Sequence, residues 1–308
     1  MESIFWAIQL VMVPVMSPLG VGIIRKIKAK LQNRRGASVF QPYKDLWKLL
    51  HKDEVLSSDA SWIFKVAPYI IFAVTIVVGL SVPLFASFLQ NTFTGDMLMV
   101  VYALAIGTFF LALAGIDTGG AFGGFGSSRE MTVSALAEGG LIFALLTVAF
   151  RSGTTNLFAI SNAAILNTGY SFLPVILSFF GFFIVLLAET ARFPFDNPAT
   201  HLELTMIHEA MILEYSGKRL ALIEWASANK LFIFAALGAN LFFPFGIAHD
   251  AQLGSIAFGV AFFFIKLSVI YIAIAILESS IAKYRFFRLP DLLLVSFVLN
   301  VVAVAFLI

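Results

Sequence analysis

The 308-residue sequence has no cysteine and few charged residues: Asp, Glu, Lys and Arg together make up 12% of it, about half their share in a soluble domain. Without cysteine, this chain alone can form no disulfide scaffold, iron–sulfur cluster or thiolate zinc site. The low charge, with 60% hydrophobic residues and a mean hydropathy of +0.95, also excludes a soluble globular domain and a disordered chain. The net charge of +2 does not indicate nucleic-acid binding. We therefore expect no cofactor in this chain, and any redox metal nearby would be held by another subunit.

Eight apolar stretches are long enough to cross a bilayer, for which a helix needs about 20 residues. The alternating ten-residue segments of a membrane β-barrel do not occur in the sequence. The first stretch has no basic residue on its N-terminal side and is followed by further spans, which is typical of a retained helix and not of a signal peptide. The sequence thus predicts an all-α, polytopic membrane protein with about eight transmembrane helices in a single domain, 1–308. The stretches lie at roughly 3–24, 63–88, 97–116, 132–150, 171–190, 230–248, 253–277 and 290–308.

Lysine and arginine predict the orientation of the chain, because these residues are enriched in cytoplasmic loops. Of the 20 basic residues, 18 lie in or at the edges of the segments after the first, third, fifth and seventh stretches. The segments after the second and sixth stretches contain none. We expect a multi-pass protein of the prokaryotic cytoplasmic (inner) membrane, with both termini outside and large cytoplasmic loops after helices 1 and 5. Charged loops on one side of a membrane are typical of a docking platform for a cytoplasmic partner.

The first long loop is strongly basic. Its sequence predicts a basic helix over 24–32, a glycine turn at 33–36, and an amphipathic helix from Pro42 with Leu and Trp on one face and Lys on the other. Two interpretations of the loop stay open. The amphipathic helix anchors the chain among lipid headgroups, or Arg34 and Arg35 pair with acids of a partner subunit or of the second long loop.

A glycine-rich segment, 115–131, follows the third apolar stretch. A phosphate-binding loop would need a preceding strand and a GK[ST] ending, and the segment has neither. The glycines instead predict a tight turn or a mobile surface loop, and Ser127 predicts the start of the next helix. We expect Arg129 to pair with Glu130 or with a neighbouring loop.

The second long loop places acids beside apolar residues. Carboxyl groups in apolar surroundings have raised pKa values, and several in series can pass protons near neutral pH. The alternative is an acidic loop that simply matches the basic first loop. His201 and His208 are seven residues apart and lack the spacing of an HExxH zinc site. The acids of this region are Glu189, Asp196, Glu203, Glu209 and Glu214.

Three further ionisable residues lie within the apolar stretches: Glu138 in the fourth, Lys266 near the middle of the seventh and Glu278 at its end. A charge at the bilayer centre costs at least about 2.5–3.5 kcal/mol, so such residues usually face the protein interior. We predict that these three form a polar proton path together with Glu189 and the acidic loop. For Glu189 and Glu278, snorkelling to the membrane interface is the open alternative.

Three segments in this order resemble a known family. They are Arg34-Arg35-Gly36, the run Glu-Thr-Ala-Arg-Phe-Pro-Phe-Asp at 189–196, and Glu-Tyr-Ser-Gly at 214–217. The sequence resembles, over essentially its whole length, the eight-helix membrane subunit shared by respiratory complex I, where it is subunit 1, and the group 4 [NiFe]-hydrogenases. The short length, the segments 117–119 and 126–130, and the Lys266 and Glu278 pair are similar to the hydrogenase branch, which includes formate hydrogenlyase.

The resemblance implies a non-catalytic, membrane-anchoring subunit that links redox chemistry in cytoplasmic subunits to proton movement. It implies contacts with a hydrogenase large subunit, a small iron–sulfur subunit and antiporter-like membrane subunits in the lipid bilayer. The [NiFe] centre and the iron–sulfur clusters would belong to those partners. With the residue patterns above, the proton-path candidates are Glu138, Glu189, Asp196, Glu203, Glu209, Glu214, Lys266 and Glu278. The partner-interface candidates are Arg34, Arg35, Arg129, Arg192 and Tyr215.

Two alternatives to the hydrogenase interpretation remain. A quinone-reducing, complex I-like subunit would have an apolar channel open to lipid that ends near 34–50 and 190–215. Two departures from the family pattern bear on quinone binding: Ala37 stands where proline is common, and Ala-Thr-His at 199–201 replaces Glu-Ala-Glu. A stand-alone secondary transporter would have inverted repeats and helices broken at mid-membrane, and the two halves of the sequence show no repeat.

Overall fold

The computed structural model describes residues 2–57, 59–88, 95–166, 172–196, 206–250 and 252–308, and its regular structure is almost entirely helical. Within these residues, seven helices are long and apolar enough to cross a membrane, and an eighth apolar helix has 17 residues. The prediction of an all-α polytopic membrane protein is confirmed. The helices are α1 (Glu2–Leu31), α2 (Gln41–Leu50), α3 (Trp62–Ser81), α4 (Met97–Asp117), α5 (Ala121–Ser152), α6 (Leu157–Leu166), α7 (Leu173–Glu189), α8 (His208–Ile212), α9 (Gly217–Leu237), α10 (Leu253–Ser280) and α11 (Leu289–Ala305).

The helix bundle has two different ends. We call one the basic end: it contains the C-termini of α1, α4, α7 and α10, the N-termini of α3, α5, α9 and α11, and the short helices α2 and α8. Contacts across this end include the Ser61 amide, which donates to the Asp117 carboxylate at 2.8 Å, and the ion pair of Arg219 with Glu54. The other, which we call the opposite end, contains α6.

The first loop forms as its sequence predicts. Helix α1 continues through its basic residues to Leu31. The chain then turns at Asn33 and Gly36, both with positive φ, and the amphipathic helix α2 begins at Gln41. A Cβ on Gly22 of α1 would lie 1.9 Å from the carbonyl oxygen of Val39, so the loop rests directly on the backbone of α1.

Helix α1 carries two internal prolines, Pro14 and Pro18, and a side chain of another helix satisfies the carbonyl that Pro18 leaves without a donor. Pro18 has no N–H, so the carbonyl of Pro14, four residues earlier, has no donor within the helix. The indole N–H of Trp225 on α9 donates to that carbonyl at 2.8 Å. The hydroxyl of Tyr43 on α2 donates to the carbonyl of Val15 at 2.5 Å. These two hydrogen bonds hold α2 and α9 against the proline-containing part of α1.

The glycine-rich segment contains the predicted tight turn at 118–120, between α4 and α5, where Gly119 has positive φ. The rest of the segment is helical, so the predicted mobile surface loop is wrong. Helix α5 begins at Ala121 and not at Ser127. A Cβ on Gly123 would lie 2.0 Å from the carbonyl oxygen of Gly115 on α4, and Gly126 lies similarly close to the chain just before α8. The glycines therefore allow three backbone segments to pack in direct contact, a tertiary requirement that overrides their preference for turns.

Two spans predicted as continuous helices are broken. Helix α3 ends at Ser81, and α9 passes through a π-helical turn, Gly238–Phe242, and then ends. Each break precedes a proline, Pro83 or Pro244, which disfavours helical conformation in the residue before it. The predicted stretches 63–88 and 230–248 are thus helical only in part.

The extended segments that follow the two breaks lie side by side inside the bundle. The Ala248 amide donates to the Phe85 carbonyl at 3.0 Å, and the Ser87 amide donates to the Ala248 carbonyl at 3.0 Å. Both segments lie against the first half of α10. A Cβ on Gly259 of this helix would lie 2.7 Å from the Phe85 carbonyl oxygen and 3.1 Å from the Ala248 Cβ. Non-helical backbone at membrane depth requires such burial, since no water is available there to satisfy its polar groups.

Candidate functional site

Glu278, at the end of α10, is bound by two cations at the basic end. Its carboxylate accepts from Lys28 of α1 and from Arg192, each at 3.1 Å, and its side chain is 4% exposed. The Lys28 ammonium also lies 4.6 Å from the centre of the Phe193 ring. The structure therefore buries Glu278 in an ion-pair network joining three segments, instead of letting it snorkel to the surface.

Asp196 is the centre of a second network nearby. Its carboxylate pairs with Lys283 at 2.7 Å and accepts from the amides of Ile207 and His208 at 3.2 and 2.9 Å. The residue is 3% exposed. Asp196 thus fixes the start of α8 to the loop after α7 and to the connection between α10 and α11.

Glu189 and Lys230 form a third pair, deeper in the bundle. Lys230 of α9 approaches one oxygen of Glu189 at 2.7 Å, with side chains 17% and 6% exposed, and also lies 3.3 Å from the Thr108 hydroxyl. The second oxygen of Glu189, Oε1, is buried and has no hydrogen-bond partner among the described residues. Beside it lies a cavity of about 40 Å³ lined by Glu189, Lys230, Thr108 and Glu130, with room for about two water molecules.

A larger cavity of about 340 Å³ lies between α1, α2, α9 and the loop after α7. It shares four lining residues with the small cavity, so the two adjoin: Thr190, Ala191, His208 and Ser227. Its charged lining residues have both signs: Arg25, Arg192, Asp45, Asp196, Glu209 and Glu224. The basic end therefore contains a polar cavity beside α2, and the smaller, mainly apolar cavity next to it is lined by Glu189.

Two titratable residues of α8 line the large cavity and have shifted pKa values. Burial lowers the pKa of His208 to about 4, so that its neutral form is favoured. Burial, together with the nearby carboxylates of Glu224 and Asp196, raises the pKa of Glu209 to about 7. A carboxyl group that titrates near neutral pH can both take up and release a proton under physiological conditions.

Three of the remaining proton-path candidates do not line either cavity: Glu138, Glu214 and Lys266. Glu138 accepts a hydrogen bond from Ser134 at 3.3 Å on α5. Glu214 is exposed, and Glu203 lies outside the described residues. Lys266 lies apart, and it is not paired with Glu278. Their twelve-residue separation along α10 corresponds to roughly 18 Å, and Lys266 binds groups toward the opposite end.

The interface candidates divide into exposed and internal residues. Arg34 and Arg35 are exposed and, within the described ranges, form no ion pair in this chain. Arg129 donates to the Met206 carbonyl at 3.1 Å, which is the predicted contact with a neighbouring loop. Tyr215 is 5% exposed, and its hydroxyl donates to the carbonyl of Phe64. Arg192, bound to Glu278, is also internal. For all five candidates, a contact with another subunit stays a prediction.

Several residues of the site were missed by sequence reasoning. Lys28, Lys230 and Lys283 were counted only as markers of orientation, yet each neutralises a buried carboxylate. Glu130 was named only as one of two alternative partners for Arg129, but it lines the small cavity with Glu189. Its spacing of eight residues from Glu138 on α5 was the available signal, because such residues share a helix face.

These features define a polytopic membrane protein whose buried ion pairs and two adjoining cavities lie at one end of a helix bundle. The chain belongs to the NADH dehydrogenase family, whose sequence model matches residues 4–308. The resemblance predicted from the motifs is thereby confirmed. Among the described residues, no group of three or more His, Asp or Glu side chains is placed to hold a metal ion.

Individual relatives are similar over most of the chain. Hydrogenase-4 component C of Escherichia coli (strain K12) is 32% identical over 303 residues, covering 98% of this chain and 95% of that protein. Formate hydrogenlyase subunit 4 of the same strain is 29% identical over 285 residues, covering 92% of each. A subunit of the NADH-quinone oxidoreductase of Paraburkholderia xenovorans (strain LB400) is 29% identical over 270 residues, covering 82% of this chain and 74% of that protein.

A solved structure has the same fold. It is a chain of the membrane-bound sulfane sulfur reductase, described as an archaeal respiratory membrane complex. The TM-score is 0.85, with 19% sequence identity and coverage of 100% of this chain and 99% of that one.

Proposed function

We propose that this chain is the membrane-anchoring, proton-coupling subunit of a multi-subunit [NiFe]-hydrogenase or formate hydrogenlyase complex. The observation that carries the proposal is the Glu189–Lys230 pair, whose carboxylate oxygen Oε1 has no partner among the described residues and which lines a small cavity next to the large polar one. Relatives named as hydrogenase and formate hydrogenlyase components support the same assignment. The [NiFe] centre and the iron–sulfur clusters belong to partner subunits at the basic end.

The coupling is electrostatic. A change of charge at a partner's redox centre alters the potential at the basic end, and buried carboxyl groups respond strongly because little solvent screens them. Glu209 takes up or releases a proton in the large cavity, and Glu189 lines the small cavity next to it. Asp196 and Glu278, each held by lysine or arginine, keep the walls of the path in place.

The central test uses the assembled complex in sealed vesicles. In Glu189→Gln, electron transfer by the partner subunits should continue while proton movement linked to it is lost. Asp53→Asn, a change of an exposed acid at the same end, serves as the matched control and should retain proton movement. Unchanged proton movement in Glu189→Gln would contradict the proposed role of this pair.

We also propose a location and an orientation: the chain lies in the prokaryotic cytoplasmic membrane, with both termini outside and the basic end in the cytoplasm. Because the natural chain has no cysteine, single introduced cysteines report the orientation without background. An impermeant maleimide should label Asp250→Cys, at the opposite end, in intact cells, and Ser38→Cys, in the first loop, only after lysis. The reverse pattern would contradict the orientation.

The proposed partners are a hydrogenase large subunit, a small iron–sulfur subunit and antiporter-like membrane subunits. Arg34 and Arg35 support a contact with the soluble partners, since both are exposed and free of ion pairs within the described residues. Purification of the tagged chain from its native membrane should recover nickel- and iron-containing subunits. Charge reversal at Arg34 and Arg35 should release them, whereas Lys65→Glu, a control at another exposed site, should not. Recovery of the chain alone, in active form, would favour the transporter alternative.

A quinone-binding subunit is the second candidate function. The large cavity lies beside α2 and the loop after α7, where that interpretation places the end of a quinone channel, and one relative is named as part of an NADH-quinone oxidoreductase. Inhibition of the purified complex by quinone analogues would support this candidate. Insensitivity, with hydrogen production or consumption intact, would support the hydrogenase assignment.

A further inference from the structure

The ammonium group of Lys266 binds oxygen atoms at the break in α9. Where the helix ends after its π-helical turn, the Nζ atom of Lys266 lies 2.5 Å from the side-chain oxygen of Asn240. The same atom lies 3.1 Å from the carbonyl oxygen of Phe243 and 3.0 Å from that of Phe245. The three N–H donors of the ammonium thus meet three oxygens, so the group is fully hydrogen-bonded.

Asn240 links this cation to the second broken span. The residue is completely buried, and its amide nitrogen donates to the carbonyls of Pro83 and Leu84 at 2.8 and 2.5 Å. Gln9 of α1 donates to further carbonyls at the end of α3, the closest being Val82 at 2.7 Å. Side chains therefore satisfy the free carbonyls at both breaks, in a region where water cannot do so.

The α3 break is satisfied by neutral amides, whereas the α9 break uses a full positive charge. Carbonyl oxygens at the end of a helix carry the negative end of its dipole, which favours a cation. Within the part of the chain that the structure describes, no carboxylate contacts Lys266, so its stabilisation comes from oxygen dipoles and not from an anion. The same arrangement of unwound carbonyls binds cations at broken helices in transporters.

We propose that the junction of Asn240, Phe243 and Phe245 is a primary-ammonium site, and that Lys266 fills it with the cation of its own side chain. The cation locks the broken end of α9 to α10. A neutral amine would have two donors for three acceptors, so the geometry favours the charged form of Lys266 and a structural role over that of a proton relay. This inference is independent of the proposed function, because it concerns the stability of the fold and predicts no effect through the acids of the basic end.

The test is chemical rescue of the full chain, purified in its complex. Lys266→Ala removes the ammonium and leaves a space that propylammonium can enter, whereas Lys266→Met removes the charge and keeps the space filled. Both variants should unfold at a lower temperature than the natural chain, by roughly 5 °C. Propylammonium chloride should restore the midpoint of Lys266→Ala only, and choline chloride, which has no N–H donor, should restore neither at equal ionic strength.

Several results would overturn the proposal. They are an unchanged midpoint in Lys266→Met, equal effects of propylammonium on the Ala and Met variants, and equal rescue by choline or by potassium ions. Ser268→Ala, an exposed change on the same helix, is the control and should leave the midpoint unchanged. Loss of proton movement in Glu189→Gln tests the proposed function separately and does not bear on these outcomes.

A second comparison applies if Lys266→Ala does not accumulate in membranes. Lys266→Gln keeps two N–H donors on a side chain that is one bond shorter, and it should be more stable than Lys266→Met. A more stable Met variant would overturn the proposal, because a lysine that merely tolerates the apolar surroundings is improved by an apolar replacement.

Discussion

The ion pair between Glu189 and Lys230 allows fold stability and proton coupling to be separated. Lys230→Met leaves the Glu189 carboxylate, 6% exposed, without its cation. Removal of one partner of a buried ion pair typically costs about 3–5 kcal/mol. Glu189→Gln should cost less, because the Lys230 ammonium, 17% exposed, still contacts Thr108 and reaches some solvent.

The double variant Glu189→Gln/Lys230→Met should recover much of this loss, because neither charge is then buried alone. We expect a coupling free energy of about 2–3 kcal/mol in the resulting cycle, near the upper end for residues in contact. Unfolding midpoints of the complex in detergent give the stabilities, and vesicles give the proton movement. The double variant should be nearly as stable as the natural complex yet unable to move protons.

The pair of Arg219 with Glu54 provides the matched control. It is also an ion pair at the basic end, but neither residue lines the two cavities. The variant Glu54→Gln/Arg219→Met should change stability without loss of proton movement. The reasoning is refuted if the costs of the Glu189 and Lys230 changes simply add, or if the Glu189→Gln/Lys230→Met variant still moves protons.

Two further predictions concern the first loop and α8. Gly22→Ala should lower the unfolding midpoint, because its Cβ would lie 1.9 Å from the Val39 carbonyl oxygen. Gly124→Ala, whose Cβ would have no atom within 4 Å, should raise the free energy of unfolding by about 0.5–1 kcal/mol. Equal effects of the two substitutions would contradict the close packing at Gly22. The pKa of Glu209 is raised from 4.5 to about 7, so this residue contributes stability that is present below pH 4.5 and lost as the pH rises toward 7. The pKa of His208 is lowered from 6.5 to about 4, so this residue contributes stability that is present above pH 6.5 and lost as the pH falls toward 4. Midpoints measured against pH should therefore rise from pH 4 to 6.5 in Glu209→Gln and fall from pH 4.5 to 7 in His208→Gln, and parallel profiles would contradict the assignment.

The prolines after α3 and α9 indicate the helix breaks in the sequence, but the apolar residues around them outweighed this signal in the prediction of the spans. Pro83 and Pro244 each stand just after the last helical turn, as the conformational restriction of the preceding residue requires. The apolar runs around them predict longer helices, because hydropathy measures the length of a buried segment and not its backbone conformation. Whether a proline kinks a membrane helix or ends it depends on which side chains satisfy the freed carbonyls, here Gln9, Asn240 and Lys266.

The sequence alone determined the class of the protein, the number of apolar helices, the amphipathic helix α2 and the turn at Gly36, because these follow from local composition and backbone preference. The tertiary structure decided which charges meet: Lys28 and Glu278 are 250 residues apart in the chain, and Asp196 and Lys283 are 87 apart. Hydropathy and residue type show that a buried charge needs a counter-charge, but they contain no information about which helix delivers it. Packing of the whole bundle selects the partner, and with it the site.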